Sequence, residues 1–466
     1  MAAKFGTSGL RGLAEELIGE VAISHTRAFI QHLKSKKKVK AGDAVYVGFD
    51  FRASSPALRA NVAEAIRLEG MTEVFFGAVS TPALAFEAMK RRCASVMITG
   101  SHIPADRNGL KFYRPDGEID KKDEKAIVAR VGKLKAGKGG PLVSLDGAID
   151  GFFDRNAKAF AGRPLKGLSI GVYQHSTAAR DMLVDLLKGA GAEAVALARS
   201  ETFVPVDTEA VSAETLRLVK DWCASGKFDA IVSADGDGDR PLVADEKGHV
   251  LRGDLVGLIT ARFLKAQVVV TPVTSNSGID AHLPKGTRRS KVGSPFVIAE
   301  MMKAKKAKAR AIAGFEANGG FFTASTFKLG RSTLTPLPTR DCILPIMAVL
   351  ASAKKTKKPL SQFAASFALP VALADRLEHF PVESSSRLMA ELMASNAACD
   401  EFFSAFGKVK KRDKTDGLRV TLADGAVIHL RPSGNAPEFR CYVEAATHGE
   451  AEALLKRAMA RIAQER

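Results

Sequence analysis

Three times along this chain an apolar strand, a helix and a second apolar strand are followed by a polar, glycine-bearing loop. That rhythm restricts the fold to a string of small α/β domains. The first unit runs from Val45-Tyr46-Val47-Gly48-Phe49 through a helix over 56–69 to the strand 95–99, and it ends in Gly100-Ser101-His102. The second passes from the strand 168–173 through a helix over 177–190 to the strand 229–233, and its loop is Asp235-Gly236-Asp237-Gly238-Asp239-Arg240. The third opens at Gln267–Thr271, continues through a helix over 295–304 to Ala311-Ile312-Ala313, and ends in Phe315-Glu316-Ala317-Asn318-Gly319-Gly320. Each opening strand lies roughly 50 to 70 residues from its loop, which is long for a solenoid repeat and suits a small domain. Ligand sites in open α/β sheets sit at the carboxyl ends of strands, where all three loops fall.

Beyond Pro359 the pattern changes to a helix, the strands 418–422, 426–430 and 439–444, and a last helix over 449–466. Ala423-Asp424-Gly425 turns the first two strands into a hairpin. A fourth, smaller α+β domain is therefore expected, with boundaries near 1–140, 141–255, 256–365 and 366–466.

The Asp-Gly run carries the strongest chemistry. Three carboxylates at alternate positions, with glycines between them, can converge on one point, and an oxygen-only donor set suits Mg²⁺, Mn²⁺ or Ca²⁺. An exposed turn of solvated carboxylates has the same composition. An EF-hand is excluded in part, because Arg240 stands where that loop needs Gly, although Glu246 stands where it needs Glu. In the first loop Ser101 lacks the glycines of a nucleophile elbow, since Thr99 and Ile103 flank it two residues away. It reads better as a phosphoryl carrier whose dianion would complete the ligand set of the aspartates. In the fourth domain Arg431-Pro432-Ser433-Gly434-Asn435 offers a guanidinium, a hydroxyl, an amide and backbone N–H groups that suit a phosphate, or an ordinary turn.

Composition narrows the classes. Hydrophobic residues make up 46% and charged residues 26%, which excludes a disordered chain. No apolar run is long enough for a bilayer, and no signal-peptide pattern is visible at Met1, so no membrane association is expected. The five cysteines are scattered singly, as in a reduced, cytoplasmic protein. The net charge of +18 raises the question of nucleic acid, but the basic runs lack interleaved aromatics, and a field that attracts a small phosphorylated substrate explains the charge equally well. No nucleic-acid partner is expected, and the chain is read as a monomer or weak dimer.

Taken together, Phe5-Gly6-Thr7-Ser8-Gly9-Leu10-Arg11-Gly12, Ser101-His102 with Asn108-Gly109-Leu110-Lys111, the Asp235 to Arg240 loop, Glu316 and Arg431-Pro432-Ser433-Gly434 resemble the α-D-phosphohexomutases over essentially the whole length. The resemblance implies three similar α/β domains with mixed sheets plus the C-terminal α+β domain, heart-shaped around a central cleft. It implies that Ser101 is phosphorylated, that Asp235, Asp237 and Asp239 hold Mg²⁺ together with Ser101, and that a hexose 1,6-bisphosphate acts as activator. Glu316 and Asn318 would meet sugar hydroxyls, Arg240 and Arg11 the transferred phosphoryl group, and Arg431, Ser433, Gly434 and Asn435 the other phosphate. The reaction implied is exchange of hexose 6-phosphate and hexose 1-phosphate through a bisphosphorylated sugar. Mannose is expected first, then glucose or both, then glucosamine; a metal-dependent phosphatase is the alternative of a different class. For proton transfer Lys111 is expected if neighbouring cations lower its pKa, with His102 second. The chain departs from the family at Ile103, where Asn is usual, at Phe315 and Asn318 in the third loop, and at Tyr173-Gln174-His175-Ser176. Its Glu-Ala-Asn-Gly-Gly third loop resembles that of bacterial phosphomannomutases.

Overall fold

The computed structural model describes residues 3–6, 8–135, 137, 139–433 and 437–466. Two compact units emerge: Met1–Val269 with Gly293–Ser366, and Val270–Val292 with Phe367–Arg466.

In the first unit an eight-stranded sheet has at its centre Ala44–Phe49, flanked by Ala94–Ile98 and Thr72–Ala78, all parallel. Arg107–Arg114 joins Ala94–Ile98 antiparallel, and Leu10–Leu13 joins it in turn, with Arg11 opposite Gly109. The inner strands are continuous apolar runs because helices cover the sheet. Val45, Val47, Val96, Ile98, Leu110 and Phe112 share one core with Phe29, Leu58, Val62 and Ile66 of the helices Glu20–Ser35 and Ser55–Leu68. A second sheet, in the order Glu193–Arg199, Ser169–His175, Ala230–Ala234, Pro241–Asp245, is parallel except for its last strand. In a third region Ile312–Phe315, Phe321–Thr323 and Leu337–Asp341 pair antiparallel.

A common device follows from these registers. Each chemical loop joins an inner strand to an antiparallel neighbour: residues 99–106 join Ala94–Ile98 to Arg107–Arg114, 235–240 join Ala230–Ala234 to Pro241–Asp245, and 316–320 join Ile312–Phe315 to Phe321–Thr323. The sheets are mixed for that reason. It also moves Lys111 from the expected loop to a buried strand, opposite Met97.

The second unit is built on a five-stranded antiparallel sheet in the order Val371–Leu377, Phe439–Ala445, Val427–Pro432, Leu418–Leu422, Val409–Asp413. Helices Val382–Ala394 and His448–Ala463 bury Leu388, Leu392, Leu454 and Ile462 with Val420, Leu430 and Phe439. Glu444 accepts from Ser277, and Asn276 Nδ2 donates to Pro370 O at 2.7 Å, which fastens the segment Val270–Val292 to this sheet. Among the described residues no helix is long and apolar enough to cross a membrane.

Candidate active site

Ser101 follows the strand Ala94–Ile98 with φ +56°, in the left-handed region that a side chain rarely adopts. A buried scaffold holds it there. Asp50, just past the central strand, accepts from Thr99 Oγ1 at 2.6 Å and Ser55 Oγ at 2.9 Å, and Thr99 Oγ1 accepts from Ser101 N at 2.7 Å. The fully buried guanidinium of Arg52 donates to the carbonyls of Ser101 (3.1 Å), Ile103 (2.6 Å), Pro104 (2.5 Å) and Arg107 (2.8 Å) while its Nε pairs with Asp50. Phe203 covers it, with Cζ 3.9 Å from the ring centroid.

The Ser101 hydroxyl donates to Asp235 Oδ2 at 2.5 Å and lies 3.3 Å from His102 Nδ1. The two loops approach so closely that a Cβ on Gly236 would lie 2.6 Å from Ser101 O. Asp235 Oδ1 accepts from the backbone N–H of Asp239 and Arg240, both at 3.0 Å, which folds the loop back on itself. Asp235, Asp237 and Asp239 are buried, and each offers an oxygen within 4.8 Å of the others. Thr81 donates to Asp237 Oδ2, and its N–H donates to Asp237 O at 2.9 Å, at the start of the helix Thr81–Arg91.

Four cations face this acidic group. Lys111 Nζ bridges Asp237 Oδ2 (2.5 Å) and Asp239 Oδ2 (2.7 Å). Arg340 reaches Asp239 Oδ2 with Nε at 3.0 Å and Glu316 Oε2 with Nη1 at 2.8 Å. Arg240 Nε lies 3.8 Å from Asp239 Oδ1 and 3.9 Å from Asp235 Oδ2. Arg11 feels Arg240, Arg340, Asp237 and Asp239 electrostatically. Burial first, and then Arg240 and Arg340, lower the Arg11 pKa to about 10. Burial raises the Asp235 carboxyl, and the charges of Asp237 and Asp239 raise it further. Asp239 is lowered in spite of burial, because Arg340, Lys111 and Arg240 surround it.

The carboxylates fit a hard divalent cation. All the donors are oxygens; Asp237 Oδ1 and Asp239 Oδ1 are buried with no hydrogen-bond partner, Asp239 Oδ1 having only Arg240 Nε at 3.8 Å, and a divalent cation would satisfy both.

The condition set on Lys111 for proton transfer is not met. Lys111 is raised, not lowered: burial pulls it down, but direct contact with Asp237 and Asp239 outweighs burial and the repulsion from Arg340. His102 is lowered, by burial first and then by Arg240 and Arg11, so its ring is neutral. Its Nε2 lies 3.7 Å from Asp207 Oδ2.

Glu316 belongs to the same cluster through Arg340. Its loop closes with Gly319 N donating to Glu316 O at 2.9 Å, and Asn318 Oδ1 accepts from Gly320 N at 3.0 Å. Gly253 makes room for it, since a Cβ there would lie 2.3 Å from Asn318 C. Arg431 and Ser433 lie in the second unit, where Arg431 Nε pairs with Asp416 Oδ2 at 3.0 Å and Ser433 N donates to Glu438 O at 2.8 Å. Gly434 and Asn435 lie outside the described residues.

Sequence reasoning missed Asp50, Arg52, Thr81, Asp207 and Arg340. Asp50 was within reach, as an acid immediately after an apolar strand. The others stand singly in unremarkable surroundings.

Four family models match in order: phosphoglucomutase/phosphomannomutase alpha/beta/alpha domain I over residues 2–138, domain II over 150–248, domain III over 252–369, and the C-terminal domain over 380–461. The chain belongs to the phosphoglucomutase/phosphomannomutase family. Within it, a phosphomannomutase of Sinorhizobium fredii is 49% identical, with 99% of this chain and 98% of the relative covered. A phosphomannomutase of Salmonella muenchen is 40% identical, with 96% and 93% covered. A solved phosphoglucomutase/phosphomannomutase family protein of Burkholderia thailandensis superposes with a TM-score of 0.78 at 22% identity, with 98% and 96% covered, and shares the fold. Members of this family are isomerases that move a phosphoryl group within a sugar phosphate, and the four-domain α/β architecture is the family's own.

Proposed function

We propose that this chain interconverts mannose 6-phosphate and mannose 1-phosphate, with Ser101 carrying the phosphoryl group. The observation that carries the reading is the Ser101 hydroxyl 2.5 Å from Asp235 Oδ2, at the rim of three convergent carboxylates. The choice of mannose rests on the two relatives named phosphomannomutase at 49% and 40% identity.

In the forward step a hydroxyl of the bound hexose monophosphate attacks the phosphorus on Ser101. The P–O bond to Ser101 breaks as a P–O bond to the sugar forms, and the hydroxyl proton leaves to a nearby base. The bisphosphate then turns within the site, its other phosphoryl group returns to Ser101, and the product carries the group at the opposite end. Asp235, Asp237 and Asp239 would hold Mg²⁺, which when bound supplies positive charge against the phosphoryl oxygens. Arg11 and Arg240 meet the same oxygens from the protein side. His102, a neutral ring adjacent to the reacting oxygen, is placed to take the hydroxyl proton, while Lys111, kept charged by Asp237 and Asp239, supplies positive charge beside the carboxylates. Glu316 and Asn318 meet sugar hydroxyls, and Arg431, Ser433, Gly434 and Asn435 grip the phosphate that is not being transferred. A hexose 1,6-bisphosphate restores the phosphorylated state when the intermediate escapes. The unpaired cysteines suit a reducing cytoplasm, and a monomer or weak dimer is expected.

The test is turnover of mannose, glucose and glucosamine 1-phosphates, with and without a catalytic bisphosphate and after chelation of divalent ions. Fastest turnover of mannose, stimulated by bisphosphate and lost on chelation, supports the reading. Comparable rates on mannose and glucose would make it a dual mutase, a preference for glucosamine would overturn the choice of sugar, and release of inorganic phosphate without isomer would make it a phosphatase.

A further inference from the structure

Arg340 occupies a position that the reaction outlined above leaves without a role. It lies on the strand Leu337–Asp341 with 3% exposure, and its neighbours pin the backbone on both sides. Thr339 Oγ1 donates to Glu118 at 2.6 Å, and Asp341 pairs with Arg155 at 3.1 Å while accepting from Ile343 N at 2.9 Å. From that fixed base the guanidinium spans two loops, with Nε on Asp239 Oδ2 at 3.0 Å and Nη1 on Glu316 Oε2 at 2.8 Å. The loop of Glu316 rests on the stem of the same side chain, since a Cβ on Gly320 would meet Arg340 Cδ at 2.5 Å. Among the described residues Glu316 Oε1 accepts no side-chain hydrogen bond.

We propose that Arg340 is a specificity-determining positioning residue: by holding Glu316 Oε2 against Asp239 it leaves Glu316 one oxygen, Oε1, aimed in one direction, so that the carboxylate reads a single sugar hydroxyl. The proposal rests on the mutase reading and deepens it. A carboxylate with both oxygens free can accept from two neighbouring hydroxyls and turn to suit either. With one oxygen engaged in a charge-assisted bond, the other has a fixed direction, and a ligand that lacks the matching hydroxyl leaves it unpaired. At this position the planar fork holds the two carboxylates in fixed directions through different nitrogens, Nε and Nη1, and the single ammonium of a lysine does not reproduce those two directions.

The experiment uses the full chain and compares wild type, Arg340→Met, Arg340→Lys, Glu316→Gln and the Arg340→Met/Glu316→Gln double variant. Each is measured for KM, kcat and equilibrium binding with the parent hexose 1-phosphate and with deoxy analogues that each lack one ring hydroxyl. The wild type should lose binding mainly for one analogue. In Arg340→Met, KM for the parent sugar should rise on the order of tenfold, and the penalty for that analogue should shrink. Arg340→Met and Glu316→Gln should be non-additive in KM. Arg340→Lys guards against a folding failure of the Met variant, and it should show the same shrunken penalty. Additive effects, equal wild-type penalties for two hydroxyls, or an Arg340→Lys profile matching wild type would overturn the proposal. Intact-mass detection of phosphoryl uptake on wild-type Ser101 from hexose 1,6-bisphosphate separates the two levels. No uptake defeats the mutase reading and this proposal with it, whereas uptake with additive effects defeats the role of Arg340 alone.

Discussion

A serine at φ +56° is unfavourable by itself, and the contacts around Ser101 show what offsets it. Arg52 gathers three carbonyls of the Ser101 loop and that of Arg107 just after it, and a Cβ on Gly100 would lie 2.6 Å from its Cζ, so the loop is wrapped around a planar cation. The hydroxyl is thereby aimed at Asp235. Ser101→Ala should lower turnover at least about a thousandfold while hexose phosphate still binds, because the carrier oxygen is gone and the grip is not. Calorimetric binding beside a coupled assay checks this, and substantial residual isomerisation would contradict the carrier role. Arg52→Lys keeps the charge and loses the fork. It should reduce kcat by about ten- to a hundredfold with KM little changed, since small displacements of a reacting group cost that much; a changed KM at constant kcat would point to substrate contact instead.

At the level of elements, a glycine-bearing hairpin can bring one strand's end against another's. Gly236 matters by its bareness: an added methyl would lie 2.6 Å from Ser101 O and 2.8 Å from the Phe203 ring, with backbone on one side and a ring already stacked on Arg52 on the other. Gly236→Ala should therefore part the two loops and weaken divalent-ion binding by about 1–3 kcal/mol, read by titration calorimetry; unchanged affinity would mean that the loops yield without disturbing the carboxylates. The same geometry explains what is legible in the sequence. Alternating Asp and Gly between apolar runs announces convergent carboxylates. The strand Leu418–Leu422 is equally plain, because its apolar residues alternate with polar ones, and its observed bounds match expectation. Asn108-Gly109 reads as loop, yet Gly109 lies in a strand, where Leu10 O and Thr99 O stand 2.5 and 2.8 Å from the place a Cβ would take and leave room for hydrogen alone. The strand Val371–Leu377 is hidden in the sequence since it pairs on one side only and its burial does not alternate, being half-buried over 371–373 and exposed over 374–376. Arg52 and Arg340 are invisible there for a different reason. Their meaning lies in partners some 50 to 100 residues away, such as Arg107 for Arg52 and Asp239 for Arg340, and no local spacing encodes that.

For the whole molecule, two histidines, one in each compact unit, are buried and neutral in the same way. His175 in the first unit is hydrogen-bonded through Nε2 to Ala234 O at 2.8 Å, and His429 in the second through Nε2 to Asp416 O at 2.7 Å. In both rings Nδ1 is buried without a hydrogen-bond partner. Protonation would put a charge in a desolvated setting, and burial outweighs the backbone contacts to Ala234 and Val204 at His175 and to Asp416 at His429, so both pKa values fall to about 4. The unfolded chain titrates its histidines near 6.5, so between about 6.5 and 4 it binds more protons than the folded chain, and stability rises with pH across that window. The contribution is complete above about pH 6.5 and is lost as pH falls toward 4, on the order of 3 kcal/mol for each ring at most. Thermal unfolding followed from pH 7.5 to pH 4.5 should show stability falling with acidity, and His429→Gln should flatten the part that belongs to the second unit while leaving that of the first. A stability profile flat across this range, or a His429→Gln variant with an unchanged slope, would mean that the rings are not held neutral by their surroundings.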